Sequence, residues 1–299
     1  MYDVIGVGAN SVDYVYRLPE FPRPDSGAAK LRIAHHTISC GGQTATTLCA
    51  CAAMGLTTRY VGTTGSDDNG QTMRDALIER DVDIGQSLES DGDNAFAVIL
   101  IDARQGERVV LWNRPLGLDL APGDLDPSVV CDTRLLHVDD VDPDTSIRAA
   151  LMARAAGRPI TSDIERMDAR TEELVAAVTI PIFAEYVLEP LTGEQDFERA
   201  LRKLRRRHTG MLCATLGARG AMLLDGDDVH QVPAYAMPVL DTTGAGDVFR
   251  GAFIVALLRG DAPGRILRFA NAAAAICCTR MGAIASVPTL REVEALARG

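Results

Sequence analysis

Short apolar runs that close on acids or glycines, alternating with helical patterns, constrain this chain's fold most strongly. "YDVIGVG", "LLHVDDV", "RPITSDI", "TIPIFAEY" and "GMLCATLG" are each brief and apolar, and each is closed by polar residues or Gly. Between them lie stretches such as "SIRAALMARAAG" and "DFERALRKLRRRH", which have helical patterning. Strands alternating with helices indicate βα units around a parallel sheet. In an open sheet of that kind, ligands bind beyond the carboxyl ends of the strands, so the closing acids and glycines mark the expected site.

Two segments break the alternation. Residues 13–37 carry Pro19, Pro22 and Pro24 and then read as a strand, "AAKLRIAHHT". Residues 95–112, "AFAVILIDARQGERVVLW", read as a hairpin with its turn around Gln105–Gly106. These strands need a second, small sheet, and a sheet inserted into a βα domain often covers the site as a lid. No repeat, low-complexity segment or Pro/Gly/Ser linker divides the 299 residues. One domain spanning 1–299 is expected, with lid strands inserted at about 13–37 and 95–112.

Charge excludes one class of partner. With 30 Lys+Arg against 41 Asp+Glu, the net charge of −11 suits neither DNA nor RNA backbones. The basic run "RKLRRRH" fits the solvated face and last turn of a helix. The N-terminus "MYDVIGVGAN" has no basic, then apolar, secretory pattern, and no apolar stretch approaches the roughly 18 residues of a membrane span. A cytoplasmic protein without a membrane partner is expected. Seven cysteines form no CxxC pair, and Cys49, Cys51, Cys277 and Cys278 lie in Ala-rich runs that suit helix packing better than disulfides or zinc.

The chemistry concentrates in "DTTGAGDVFRGAF", Asp241–Phe253. Val248, Phe249, Ala252, Phe253, Ala256 and Leu257 recur at helical spacing, and Gly260 is placed to stop the helix. Gly244, Ala245 and Gly246 therefore fall at a helix N-terminus, where unpaired N–H groups and the positive dipole end suit an anion such as phosphate. Glycines let the backbone come close to it. Asp247 follows in the first turn. A carboxylate within reach of an alcohol can take its proton as the alcohol attacks phosphorus. The plainer reading makes Thr243 a helix cap and Asp247 a complement to the dipole. No GxxxxGK[ST] occurs. "GVGANS" at Gly6–Ser11 has Ser11 where GxGxxG needs its third glycine and leads into a non-helical segment, which argues against a dinucleotide-linked dehydrogenase.

"DTTGAGDVFRGAF" is similar to DTxGAGDxFxxGF, the C-terminal signature of the PfkB carbohydrate kinases, also called the ribokinase family. "GGQTATTLCACAAMG" (Gly41–Gly55) resembles that family's glycine pair and following helix. "VGTTGSDDNGQ" (Val61–Gln71), "ATLGARGA" (Ala214–Ala221) and "ANAAAAICCTRMGA" (Ala270–Ala283) match in the family's order, so the resemblance covers nearly the whole chain. It implies an α/β fold: a ribokinase-like three-layer α/β/α domain with a mostly parallel central sheet and a small β-sheet lid. It implies transfer of the γ-phosphoryl group of ATP to a hydroxyl of a small carbohydrate. Asp247 then matches the catalytic base, and Gly244, Ala245 and Gly246 the anion hole. Asp13, with Asn10 just before it, matches the acid that holds substrate hydroxyls. Gly41 and Gly42 match the glycine pair, with Gln43 beside them. Thr215, Gly217 and Gly220 match a nucleotide-side loop, joined by Thr243 and Gly246, and Asn271 matches a position near the adenine. Mg²⁺ is expected with ATP, with Glu185 and Asp241 as its acids. A monovalent cation such as K⁺ near Val239–Thr243 and Met281–Ser286, and a homodimer through the lid, are further implications.

Two departures bear on the substrate. Where many sugar kinases read GGxxAN, this chain reads "GGQTAT", so Thr46 replaces an amide that can both donate and accept. The family's NxxE motif lacks its Asn in "FAEYVLEPLTG", which leaves Glu185 or Glu189. The substrate half is poor in cations, so a neutral sugar ranks first. Arg108 and Arg114 leave room for an acidic or phosphorylated sugar, and Tyr14, Tyr16, Phe96 and Trp112 for a nucleoside. A non-catalytic sensor on the same fold has no need of Asp247.

Overall fold

The structure is a computed structural model that describes residues 1–24, 30–104 and 108–298. Its strands are β1 (Tyr2–Val7), β2 (Ser11–Leu18), β3 (His35–Gly41), β4 (Thr58–Val61), β5 (Thr63–Gly65), β6 (Val82–Asp83), β7 (Leu88–Ser90), β8 (Phe96–Asp102), β9 (Arg108–Asn113), β10 (Thr133–Val138), β11 (Ile160–Ile164), β12 (Ile180–Ala184), β13 (Leu212–Thr215), β14 (Ala221–Asp225) and β15 (Asp228–Val232). Its α-helices are α1 (Gln43–Ala53), α2 (Asp68–Glu79), α3 (Pro127–Val130), α4 (Pro143–Ala155), α5 (Thr171–Ala177), α6 (Glu185–Thr192), α7 (Phe197–Arg205), α8 (Ala245–Leu258), α9 (Pro263–Cys277) and α10 (Leu290–Arg298).

The main sheet has the order β15-β14-β13-β12-β11-β10-β1-β4-β6. Pairing is parallel from β13 to β6 and antiparallel through β14 and β15. Side chains alternate between the two faces, as strand geometry requires. Val4, Leu135 and Ile182 join one buried cluster with Phe253 of α8 and Ala270 of α9. Their neighbours Ile5, Leu136 and Phe183 join another, with Ala150 of α4 and Leu201 of α7. Helices thus cover both faces and form three layers. From β1 the chain runs outward in one direction to β4 and β6, and from β10 in the other. A doubly wound sheet binds ligands at such a reversal.

A second sheet, β3-β2-β8-β9, stands apart from the main one. β2 pairs in parallel with β8, and the other pairs are antiparallel. This is the small sheet expected from residues 13–37 and 95–112, with one correction. The strand expected over "AAKLRIAHHT" begins only at His35 and runs on to Gly41. Its partner sets the limit: pairing starts at Arg17↔His35 and ends at Ser11↔Gly41, so Lys30–Ile33 have no β2 residue to pair with. The expected turn at Gln105–Gly106 lies outside the described residues. Val15, Ala97, Ile99 and Ile101 form the small sheet's own apolar face.

Helices α1 and α8 pack closely because small residues meet. A Cβ at Gly251 would lie 2.6 Å from the Ala50 Cβ and 2.8 Å from the Thr47 carbonyl oxygen. Thr47 Oγ1 in turn donates to the Asp247 carbonyl at 3.2 Å. This contact fixes the start of α8 against α1. No described helix is long and apolar enough to cross a membrane.

Candidate active site

Gly244 is the N-cap of α8, with φ +76°. That conformation favours glycine, and space demands it too: a Cβ there would lie 2.7 Å from the Ala283 Cβ and 2.8 Å from its Cα. No side chain caps the helix, so apart from the Ala245 N–H, which reaches the Thr242 carbonyl at 3.3 Å, its first N–H groups stay available to a ligand. The alternative reading of Thr243 as the cap is therefore corrected. Thr243 instead turns back to Asp241, giving both its N–H (2.9 Å) and its hydroxyl (2.7 Å) to Oδ1.

Two cavities meet at this helix end. One, of about 300 Å³, is lined by Asp13, Gly42 and Gln43 below, Ile99, Arg108 and Val110 from the small sheet, and Thr243, Gly244 and Asp247 at the start of α8. The other, of about 510 Å³, is lined by Thr215, Gly217 and Gly220 of the β13–β14 turn, by Tyr235 and Met237, and by Phe249 and Asn271. Thr242 and Gly246 line both. Thr243, grouped by sequence with the nucleotide-side residues, lines only the first.

Asp13 is 6% exposed. Burial pushes its carboxyl up to about 6, against a hydrogen bond from the Ser11 hydroxyl. Gly41 lies against it, where a Cβ would come 2.7 Å from Asp13 Oδ2. Gly42, at φ +96°, passes so near Asn10 that a Cβ would lie 2.4 Å from the Asn10 Cα. Asn10 itself lines neither cavity, and its buried Oδ1 has no partner. Its Nδ2 donates to the Tyr60 hydroxyl (2.9 Å) and the Thr63 carbonyl (2.8 Å), which makes it a support for the β1–β2 turn. Thr46 is fully buried on α1 with its hydroxyl unpartnered.

Sequence reasoning missed the most charged part of the site. Asp163 ends β11 fully buried, and Arg250, one turn after Asp247 on α8, is fully buried beside it. Their Oδ1 and Nη2 are 2.5 Å apart, and Arg250 Nη1 lies 3.5 Å from Glu165 Oε1. Carboxylate oxygens of Asp163, Glu165 and Asp247 lie within 4.8 Å of one another. Burial first, and then the Glu165 charge, pushes the Asp247 carboxyl well above the usual carboxylate range, while Arg250 opposes the rise. Asp140 at the end of β10 accepts from the Glu165 and Arg166 N–H groups at 2.6 Å each, and so fixes that loop. The signals were present: acids closing "LLHVDDV" and "RPITSDI", and an arginine inside an apolar helical run.

The two acids assigned to metal differ in fit. Asp241 accepts from Gly282 N–H at 2.9 Å with Oδ2, and from Thr243 twice with Oδ1. Both its oxygens are committed to bringing the 239–243 and 281–286 loops together, so it does not fit a magnesium ligand. Glu185, at the start of α6, pairs with Arg219 and faces Gly217 at the edge of the larger cavity. A carboxylate oxygen at that edge has the chemistry that suits Mg²⁺. Glu189 bonds Gln195 instead. Asn271 donates to the Val232 and Pro233 carbonyls at 3.0 and 3.2 Å, and so holds one wall of the larger cavity. Arg114 is tied to Asp142 and Asp119, which leaves Arg108 as the one cation lining the smaller cavity among the described residues.

Comparison with known proteins places this geometry. A family model described as "pfkB family carbohydrate kinase" matches residues 3–290. The chain is 26% identical to a nucleoside kinase of Methanothermobacter thermautotrophicus, covering 97% of this chain and 94% of that one. It is 28% identical to an ATP-dependent ribose-1-phosphate kinase of Halopiger xanaduensis, covering 99% and 98%. The structure of Arabidopsis thaliana ribokinase complexed with ribose and ATP superposes with a TM-score of 0.85 at 25% identity, covering 100% of this chain and 99% of that one.

Proposed function

The chain belongs to the pfkB family of carbohydrate kinases, and from that premise we propose that it phosphorylates a hydroxyl of a small neutral sugar at the junction of the two cavities. The observation that carries this reading is the sharing of Thr242 and Gly246 by both cavities, with Asp247 lining only the smaller one. ATP occupies the larger cavity, its adenine between Phe249 and the wall held by Asn271, its phosphates toward Gly246. The acceptor occupies the smaller cavity, with Asp13 and Gln43 taking its hydroxyls.

Asp247 accepts the proton of the acceptor hydroxyl as its oxygen attacks the γ-phosphorus. The bond from that phosphorus to the bridging oxygen breaks, and ADP leaves. The N–H groups of Gly244, Ala245 and Gly246 take up charge on the moving phosphoryl group without reorganising. Gly41 and Gly42 keep the backbone low enough for the acceptor to reach it. Glu185 would hold Mg²⁺, which supplies charge neutralisation on the phosphates. The junction of the 239–243 and 281–286 loops at Asp241 is where a monovalent cation would lie.

The larger cavity's aromatics, Tyr235 and Phe249, stand on the nucleotide side, and the smaller cavity's walls among the described residues are aliphatic or polar. That disfavours a nucleoside acceptor, which needs stacking. Arg108 favours the second reading, a sugar acid or sugar phosphate. ADP formation measured over neutral sugars, sugar acids, sugar phosphates and nucleosides decides between them. Asp247→Asn should nearly abolish turnover and leave ATP binding intact; near-normal turnover in that variant would sink the assignment of the base.

We also read the small sheet as a homodimer surface. Val109, Val110, Leu111 and Trp112 of edge strand β9 are 41–71% exposed, and an exposed apolar edge calls for cover.

A further inference from the structure

We propose that Arg250 is a positioning residue for phosphoryl transfer: its buried guanidinium braces the first turn of α8 against the end of β11 and keeps Asp247 available as the proton acceptor. This rests on the reading of Asp247 as the base. It adds a residue that touches neither substrate.

The placement of Arg250 is unusual on physical grounds. It is fully buried in a helix whose other inward residues are apolar. A buried guanidinium is costly to desolvate and is tolerated only where paired. Its partners, Asp163 at 2.5 Å and Glu165 at 3.5 Å, both stand at the end of β11, so the pair ties α8 to the main sheet. It also lies directly beneath the anion-binding turn, since a Cβ at Gly246 would come 2.6 Å from Arg250 Nη1. One side chain therefore contacts the turn that carries Gly246 and the acids that crowd Asp247.

Charge explains why those acids need it. Asp163 and Glu165 face Asp247 from the end of β11 and Asp139 from the end of β10, while Asp140 bears on Asp163. Four other titratable groups on neighbouring elements stay neutral. Burial holds His137 of β10 down to about 3, and holds Cys213 of β13, Cys277 of α9 and Tyr186 of α6 each up to about 12. Arg108 approaches from the small sheet, on the cavity side. From within the protein, Arg250 supplies the opposing positive charge. Without it, Asp247 stays protonated to higher pH and fewer molecules carry a base.

The test is the pH dependence of kcat/KM, measured through ADP formation with the best acceptor from the panel. Arg250→Met should lower kcat by about 100-fold, the effect of misplacing a reacting group by an ångström. KM for both substrates should stay within a few-fold. The acid limb should move up by about one pH unit or more, the size of an opposite-charge effect at this range. Arg250→Lys should return the limb to its wild-type position, while recovering only part of kcat because the two-pronged contact is lost. Glu165→Gln, which removes an opposing negative charge at a partly exposed position, should move the limb down. If Arg250→Met does not fold, the Lys and Gln variants decide alone. A limb that shifts in Arg250→Lys, or stays put in Glu165→Gln, overturns the proposal. So does a folded Arg250→Met with an unshifted limb. An active Asp247→Asn would instead overturn the reading of the base on which this one rests.

Discussion

Gly244 and Gly260 have the same backbone angle, φ +76°, and opposite surroundings. Comparing Gly→Ala at the two separates conformational strain from crowding. At Gly260 nothing lies within 4 Å of a Cβ, so only the left-handed backbone resists, at a cost of about 1 kcal/mol. The stiffer unfolded chain offsets about 0.4–1 kcal/mol of that. Gly260→Ala should therefore be close to neutral in a denaturant melt. At Gly244 the added methyl meets Ala283 at 2.7 and 2.8 Å, and the second of these atoms is backbone. It cannot rotate away, so the two loops must part by several tenths of an ångström. Overpacking of that kind costs about 1–3 kcal/mol on top of the strain. The unfolded-chain offset nearly cancels the strain here too, so Gly244→Ala should unfold about 1–3 kcal/mol more easily than wild type. The same displacement moves the helix N–H groups off the phosphoryl position, and losing one such donor costs about 100- to 1,000-fold in kcat. Urea unfolding and steady-state ADP formation read the two effects. If Gly244→Ala matches Gly260→Ala in stability and keeps kcat within twofold, the crowding argument and the anion-hole assignment both fail.

Other outcomes follow from the same geometry. Burial favours protonated Asp13, so the folded chain holds that proton to about pH 6 and the unfolded chain only to about 4. Its contribution is therefore fully present below the unfolded value and is lost as pH rises through 6. Asp13→Asn should remove about 3 kcal/mol of that fall between pH 4 and 7, while raising the acceptor KM by about 10- to 100-fold, the worth of a hydrogen bond to a charged group. In the wild type, acceptor KM should climb as pH drops below 6. Arg108→Ala should change kcat/KM by less than about tenfold for a neutral sugar and by about 100-fold or more if the acceptor carries an anion, as charge-assisted contacts are worth. Asn271→Ala frees the Val232 and Pro233 carbonyls and should raise KM for ATP by about tenfold, one net hydrogen bond's worth, without moving the acceptor KM. Trp112→Glu should shift the sedimentation coefficient from that of a dimer to that of a monomer; an unshifted dimer places the contact elsewhere.

Local sequence rules settled a good deal. The βα alternation depends on periodicity and strand length, which neighbours along the chain determine, so the layered sheet was legible. The start of α8 was legible for the same reason, since a glycine run before an apolar period of 3.6 marks a helix N-terminus; that Gly244 and not Thr243 caps it was decided by the fold. Thr46 and the missing Asn before Glu185 were equally plain as departures. The ends of β3 were not, because pairing with β2 sets them and nothing within "AAKLRIAHHT" does. Asn10, Thr243 and Asp241 look from sequence like ligands, and the fold engages the Asn10 Nδ2, the Thr243 hydroxyl and the Asp241 carboxylate in turns and loops. Arg250 looks from sequence like one more helix cation, and only packing against β11 turns it inward to Asp163. Electrostatics in a buried site depends on distances between groups far apart in the chain, and those distances exist only once the layers have closed.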